Sequence, residues 1–111
     1  MLIGQYVQRL SGLSQFSPPF PRGGQGILLA VDVLSAPGGG KALVVAVEHK
    51  DAEDVSWASL GTISGIATTG VKTGAFSGCK EMLRLGYTVI GIGVQPRDTF
   101  YINVPAPTWR P

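Results

Sequence analysis

Charge is scarce in this chain. Only 14% of its 111 residues are Asp, Glu, Lys or Arg, against roughly 25% in an ordinary soluble domain. A chain so poor in charge has few solvated helical faces and can cover part of its surface with protein rather than water. Cysteine is nearly absent as well. A single thiol, Cys79, cannot form an internal disulfide, so the fold does not rely on oxidising conditions. With one histidine, His49, beside that one cysteine, the chain cannot supply the three or four ligands of a standard structural zinc site. The nine Lys and Arg are scattered from Arg9 to Arg110 without a basic cluster, which excludes the electrostatic footprint of a specific nucleic-acid binder. No apolar run approaches the ~18 residues of a membrane span. The opening segment Met1 to Arg9 lacks a basic start and breaks its apolar run with Gly4 and Gln5, so it does not read as a secretory signal, and folding in a cytoplasm is expected.

Apolar residues, 44% of the chain, are plentiful, and 16 Gly and 8 Pro punctuate them. A single domain of this length buries roughly 65% of its unfolded surface. The dominant period is two. Ile27, Leu29, Val31 and Val33 share one face, and Leu43, Val45 and Val47 share the next, with Pro37 to Gly40 as the turn between them. Trp57 to Ile66 reads as one or two short strands and Val71 to Phe76 as another. Leu83, Leu85, Tyr87 and Val89 line one face, and Phe100, Ile102 and Val104 line the last. A helical period over Cys79 to Leu85 is cut short by Gly78 and Gly86. The expectation is therefore all-β: an antiparallel, jelly-roll-like β-sandwich of about seven strands over residues 27–104.

The ends differ. Residues 1–26 carry Pro18, Pro19 and Pro21 followed by Gly23 and Gly24, and residues 105–111 hold Trp109 among prolines. Proline favours extended backbone without ladder hydrogen bonds and glycine a flexible joint. Both ends read as extended arms, with Tyr6, Phe16, Phe20 and Trp109 as apolar anchors for a partner; for Trp109, docking on the protein's own last strand is the alternative. Trp57, in contrast, reads as the one large aromatic of a sandwich interior.

Motifs for chemistry are weak. His49 has Asp51, Asp54 and Ser56 nearby, but nothing resembles a nucleophile elbow, and a strand-end structural histidine is the simpler reading. Asp51, Glu53 and Asp54 match no calcium loop and read as a solvated hairpin loop. Gly38-Gly39-Gly40-Lys41 is followed by Ala42 and a strand, not by Ser or Thr and a helix, so it is not a phosphate loop. Gly91-Ile92-Gly93 fails the dinucleotide pattern because Pro96 replaces its third glycine. No catalytic residue, cofactor or metal is expected.

One pattern points outward. A Val-rich strand ends at His49, Lys50 and Asp51, and a second strand opens on Trp57. Thr69 and Gly70 follow, then an Arg-bearing strand with Arg84, Tyr87, Thr88 and Val89 closing at Gly91. Over residues 41–104 this resembles small β-sandwich virion proteins of tailed bacteriophages. It departs from them where Ala52-Glu53-Asp54 replaces an Asp-Gly turn and where Gly86 interrupts the Arg-bearing strand. The resemblance implies a non-enzymatic capsid decoration or head-associated protein, homo-oligomeric, bound to a major capsid protein or other virion proteins. It would reside in the virion after assembly in the host cytoplasm. The alternative expectation is a carbohydrate-binding module for host attachment that uses Trp57, Tyr101 and Trp109.

Overall fold

The alternating segments fold as strands. The computed structural model describes residues 7–11, 15–91 and 99–111. They form β1 (Val7–Ser11), β2 (Gln15–Phe16), β3 (Phe20–Pro21), β4 (Gly26–Ser35), β5 (Ala42–Lys50), β6 (Ala58–Ile66), β7 (Gly70–Ser77), β8 (Met82–Ile90), β9 (Thr99–Asn103) and β10 (Thr108–Arg110). No helix occurs among the described residues. Cys79 to Leu85, the segment with a competing helical period, becomes a turn leading into β8, where Leu83, Leu85, Tyr87 and Val89 all point inward.

Pairing is antiparallel throughout and nested. The innermost pair is β5 with β6, flanked by β4 with β7, then β2 and β3 with β8, then β1 with β9. Lateral pairing of β5 with β8 and of β4 with β9 gathers these into two sheets. The first holds β1, β9, β4 and β7 with β10 added; the second holds β2 and β3, then β8, β5 and β6. If β2 and β3 are taken as one interrupted strand, this is the eight-strand order of a jelly roll, the long hairpin folded over on itself. The sandwich expected from the sequence is therefore present.

The two sheets bury one core. Leu29, Val31 and Val33 from β4 meet Leu43, Val45 and Val47 from β5, with Leu83, Leu85, Tyr87, Phe100 and Ile102 completing it. Strict alternation breaks in β6. Val45 opposes Ile63 and Leu43 opposes Ile66, so one extra residue is taken up in a bulge and both isoleucines face inward. Ile63 and Phe76 lie between β6 of one sheet and β7 of the other, beside Gly61 and Gly74.

The ends behave differently from projecting arms. β1 adds to the edge of β9, and β2 and β3 share the outer edge of β8. Between β2 and β3 the chain must pass Pro18 and Pro19, of which neither can donate a ladder hydrogen bond. Ser17 resolves this. Its N–H donates to the Leu85 carbonyl at 2.8 Å, and its hydroxyl accepts the Leu85 N–H at 2.9 Å, so β8 keeps its partners across the interruption. Phe20, placed by the sequence on an arm as an anchor, is 1% exposed and belongs to the core. At the other end, β9 leaves β4 at Asp32, which frees the edge over Gly26–Leu28, and β10 takes it. Trp109 lies opposite Ile27 and meets the Phe20 ring edge-on, centroids 6.3 Å apart at 62°. A β-carbon on Gly23 would fall 2.6 Å from the indole, so Gly23 serves as the seat of Trp109 and not as a hinge. Trp109 thus packs on its own core instead of being presented outward, because an open strand edge and an apolar seat lie within reach of the tail.

Candidate functional site

Among the described residues, the outer face of the second sheet carries a group of aromatic and charged side chains fixed by one another. Outward positions on β8 alternate with the buried ones, which places Arg84, Gly86 and Thr88 there. On β5 the same alternation gives Val44, Ala46, Glu48 and Lys50. Pairing of β2 with β8 sets Phe16 beside Gly86. With no side chain on Gly86, the Phe16 ring settles close to the strand: a β-carbon at Gly86 would stand 3.1 Å from the ring. Arg84 reaches over it, its guanidinium carbon 4.1 Å from the Phe16 centroid and 4.7 Å from that of Trp57. Arg84 Nε also donates to Glu48 Oε1 at 2.6 Å, directly across the β5–β8 pair. Lys50 Nζ stands 5.4 Å from the Trp57 ring. Cations over aromatic faces gain about 0.5–1 kcal/mol at exposed sites. The greater effect here is positional, since Glu48 and two rings hold a long side chain in one geometry.

Trp57 is thus not the interior aromatic that the sequence suggests. It stands on the outside in the β5–β6 connection, half-buried against Arg84 and Lys50, and Tyr87 fills the interior instead. Phe16 is 54% exposed, and Val55, two residues before Trp57, is 99% exposed. Phe16 and Arg84 on paired strands, with Trp57 stacked beside them from the connection and apolar surface left in water, have the composition of an interface core.

The end of the sandwich below this face gathers His49, Asp51, Asp54 and Lys80. His49 is 9% exposed, and its Nδ1 accepts the Lys80 N–H at 3.2 Å. Burial, and then the Lys80 charge, push its pKa below the ordinary value, while Asp51 and Asp54 oppose them. Both carboxylates are engaged in the loops. Asp51 Oδ1 accepts the Glu81 N–H at 3.3 Å, and Asp54 Oδ2 accepts the Asp51 N–H at 2.8 Å and pairs with Lys80 Nζ at 3.3 Å. That backbone hydrogen bond, with Lys80 beside it, holds the Asp54 carboxyl below the usual range. The group works as a fastening between two loops. No cluster of three His, Cys, Asp or Glu able to hold a metal occurs among the described residues. Burial raises the pKa of Cys79, which keeps its thiol protonated and unreactive. A depression of about 330 Å³ near Gln25, Ile27, Phe76, Ser77 and Arg110 offers one cation and no acid–base pair.

Of the anchors read from sequence, Phe16 is on the surface, Phe20 and Trp109 are against the core, and Tyr6 lies outside the described residues. The aromatics considered for a sugar platform do not converge. Trp57 belongs to the face of the second sheet, Tyr101 to β9 in the first, and Trp109 to the seam beside Phe20. Sequence reading missed the Phe16–Arg84–Trp57 group because it depends on β2 pairing with a strand some 70 residues away. Of the three, only Phe16 stood out in the sequence as an apolar anchor, on the N-terminal segment. No family model, curated protein or solved structure matches the chain.

Proposed function

We propose that this protein is a non-enzymatic virion structural component, of the decoration or head-associated kind, that docks on capsid or other virion proteins through the outer face of its second sheet. The observation carrying this reading is the Phe16–Arg84–Trp57 group, with Arg84 at its centre and held by Glu48, an interface-like surface on paired strands and the connection beside them. The nested jelly roll adds to it by analogy alone, since viral capsid and lectin domains share that architecture. So does the resemblance of residues 41–104 to small phage virion proteins. The role assigned to terminal arms passes to this face, because Phe20 and Trp109 are already committed to the protein's own core. The glycan-binding alternative gains no shared aromatic platform from the fold.

The test is co-sedimentation of purified protein with particles of the virus whose genome carries its gene. Wild type should sediment with the particles, and Phe16→Ala combined with Trp57→Ala should lose at least about tenfold in occupancy, as expected when central aromatics are truncated. Its melting temperature should stay close to wild type. Failure of the wild type to co-sediment, or full binding by the double variant, would overturn the proposal.

A further inference from the structure

The loop at residues 78–81 is a hub held from two sides. Towards β5 and the β5–β6 loop it makes four contacts: Lys80 N–H to His49 Nδ1, Lys80 Nζ to Asp54, Glu81 N–H to Asp51 Oδ1, and Glu81 Oε1 accepting the Ala52 N–H at 3.3 Å. Towards the strand-linking segment before β4, Arg22 N–H donates to the Glu81 carbonyl and Arg22 Nη1 to the Cys79 carbonyl, while Cys79 N–H donates to the Gln25 carbonyl. Three parts of the chain distant in sequence meet there, and one of their links runs through the protein's only imidazole.

That link depends on protonation in a way the others do not. To accept the Lys80 N–H, Nδ1 must be unprotonated. A proton on Nδ1 turns it into a donor facing a donor at hydrogen-bond distance, and the pair then repels. The charged groups around the ring come from both loops. Lys80 opposes the added charge, Asp51 and Asp54 favour it, and Glu81 lies next along the hub. The strand neighbours of His49, Leu83 on β8 and Ala58 on β6, carry no charge.

We propose that His49 is a pH-operated latch: neutral, it clasps Lys80 to β5 through Nδ1, and protonated, it gives up that one link while the carboxylate contacts of the 78–81 loop remain, so the loop loosens on its β5 side. Lys50 and Asp54 flank the latch, and Lys50 also reaches the Trp57 ring, so release loosens the lower edge of the docking face. The latch does not depend on what that face binds. It operates in the free protein and is testable there.

The experiment follows the Lys80 amide and the His49 ring by NMR in the purified full chain from about pH 7.5 to about pH 5, the range in which an imidazole changes charge. The Lys80 amide shift should move with the same midpoint as the His49 ring protons. At about pH 5, Lys80 amide exchange should be about tenfold faster in wild type than in His49→Gln, the size expected for one lost hydrogen bond. The glutamine carbonyl can accept the same N–H and does not titrate, so the variant's Lys80 amide should be insensitive to this range. A Lys80 amide that ignores the His49 titration, or one that responds equally in His49→Gln, would overturn the latch. If the variant fails to fold, the comparison of midpoints within the wild type alone still decides.

Discussion

Replacing Trp109 by alanine tests whether the C-terminal strand belongs to the fold or waits for a partner. An aromatic of this size buries about 150–250 Å² when covered, and Trp109 is half-buried, in contact with Phe20, Gly23 and the strand bearing Ile27. Roughly 100 Å² of apolar surface withdrawn from water at about 25 cal/mol per Å² gives about 2.5 kcal/mol. The edge-on contact with Phe20 adds about 0.5–1.5 kcal/mol, so the loss should be about 3–4 kcal/mol. For a domain of about this length, that lowers the melting temperature by about 10–20 °C. The assay is thermal unfolding of the isolated protein followed by circular dichroism. Gly23→Ala supplies the companion measurement: its β-carbon would meet the indole at 2.6 Å and lift it from its seat. In the Trp109→Ala background the Gly23 substitution should therefore cost much less than in wild type. An unchanged melting temperature in Trp109→Ala would refute the reasoning and return the indole to the role of an outward anchor.

Ser17→Ala should destabilise the isolated protein by about 1–3 kcal/mol, read by urea unfolding, because the Leu85 N–H loses its acceptor in a buried position. Gly38→Ala should cost about 1–2 kcal/mol: its φ is +72° in the β4–β5 turn with nothing near the added methyl, so the loss is backbone strain alone. The pKa of His49 lies below its ordinary 6.5, so its neutral form is favoured by folding. Its contribution is present above that value and is lost as pH falls towards the folded-state pKa. Denaturant midpoints measured downward from about pH 7.5 should show that fall in wild type and a smaller one in His49→Gln.

Alternation carries most of the fold. Each residue expected inward from period two in β4, β5, β8 and β9 is buried, because the side-chain period of a strand is fixed by its pleat. What the same period does not reveal is partners. A two-residue strand such as Gln15–Phe16 has no period to read, and its place follows from the open edge of β8 and from Ser17 standing in for an absent ladder bond. Prolines suggested unpaired arms, yet Pro21 lies on an edge strand, where a missing N–H faces away from the ladder. Trp57 shows the converse limit. Its size argued for the core, but the ring has cationic neighbours on the outer face, and the interior was already filled by Tyr87. The candidate site was legible only in fragments: Phe16 as an apolar anchor, Trp57 as a large aromatic, Arg84 as a member of an alternating strand, and nothing to bring the three together.

The N-terminal segment belongs to the sandwich edges and not to a projecting arm, and its removal distinguishes the two. Read as an arm, residues 1–22 could be removed to leave a folded body unable to assemble. In the structure that cut removes β1 from the edge of β9 and both β2 and β3 from the edge of β8. It also deletes Phe20, fully buried between the sheets, and Ser17, which satisfies Leu85 on both sides. Loss of a core phenylalanine alone costs about 3–5 kcal/mol, and exposing the core beneath Phe20 and beside Trp109 adds to it. Against a total stability of about 5–15 kcal/mol for a domain, the truncated chain should lose cooperative unfolding altogether. The measurement is near-ultraviolet circular dichroism with a thermal scan of residues 23–111, and the expected result is a flat aromatic signal with no transition. A truncated protein that melts cooperatively within a few degrees of wild type would mean that β1 to β3 lie on the sandwich without holding it together. The search for a partner-binding anchor would then return to that segment.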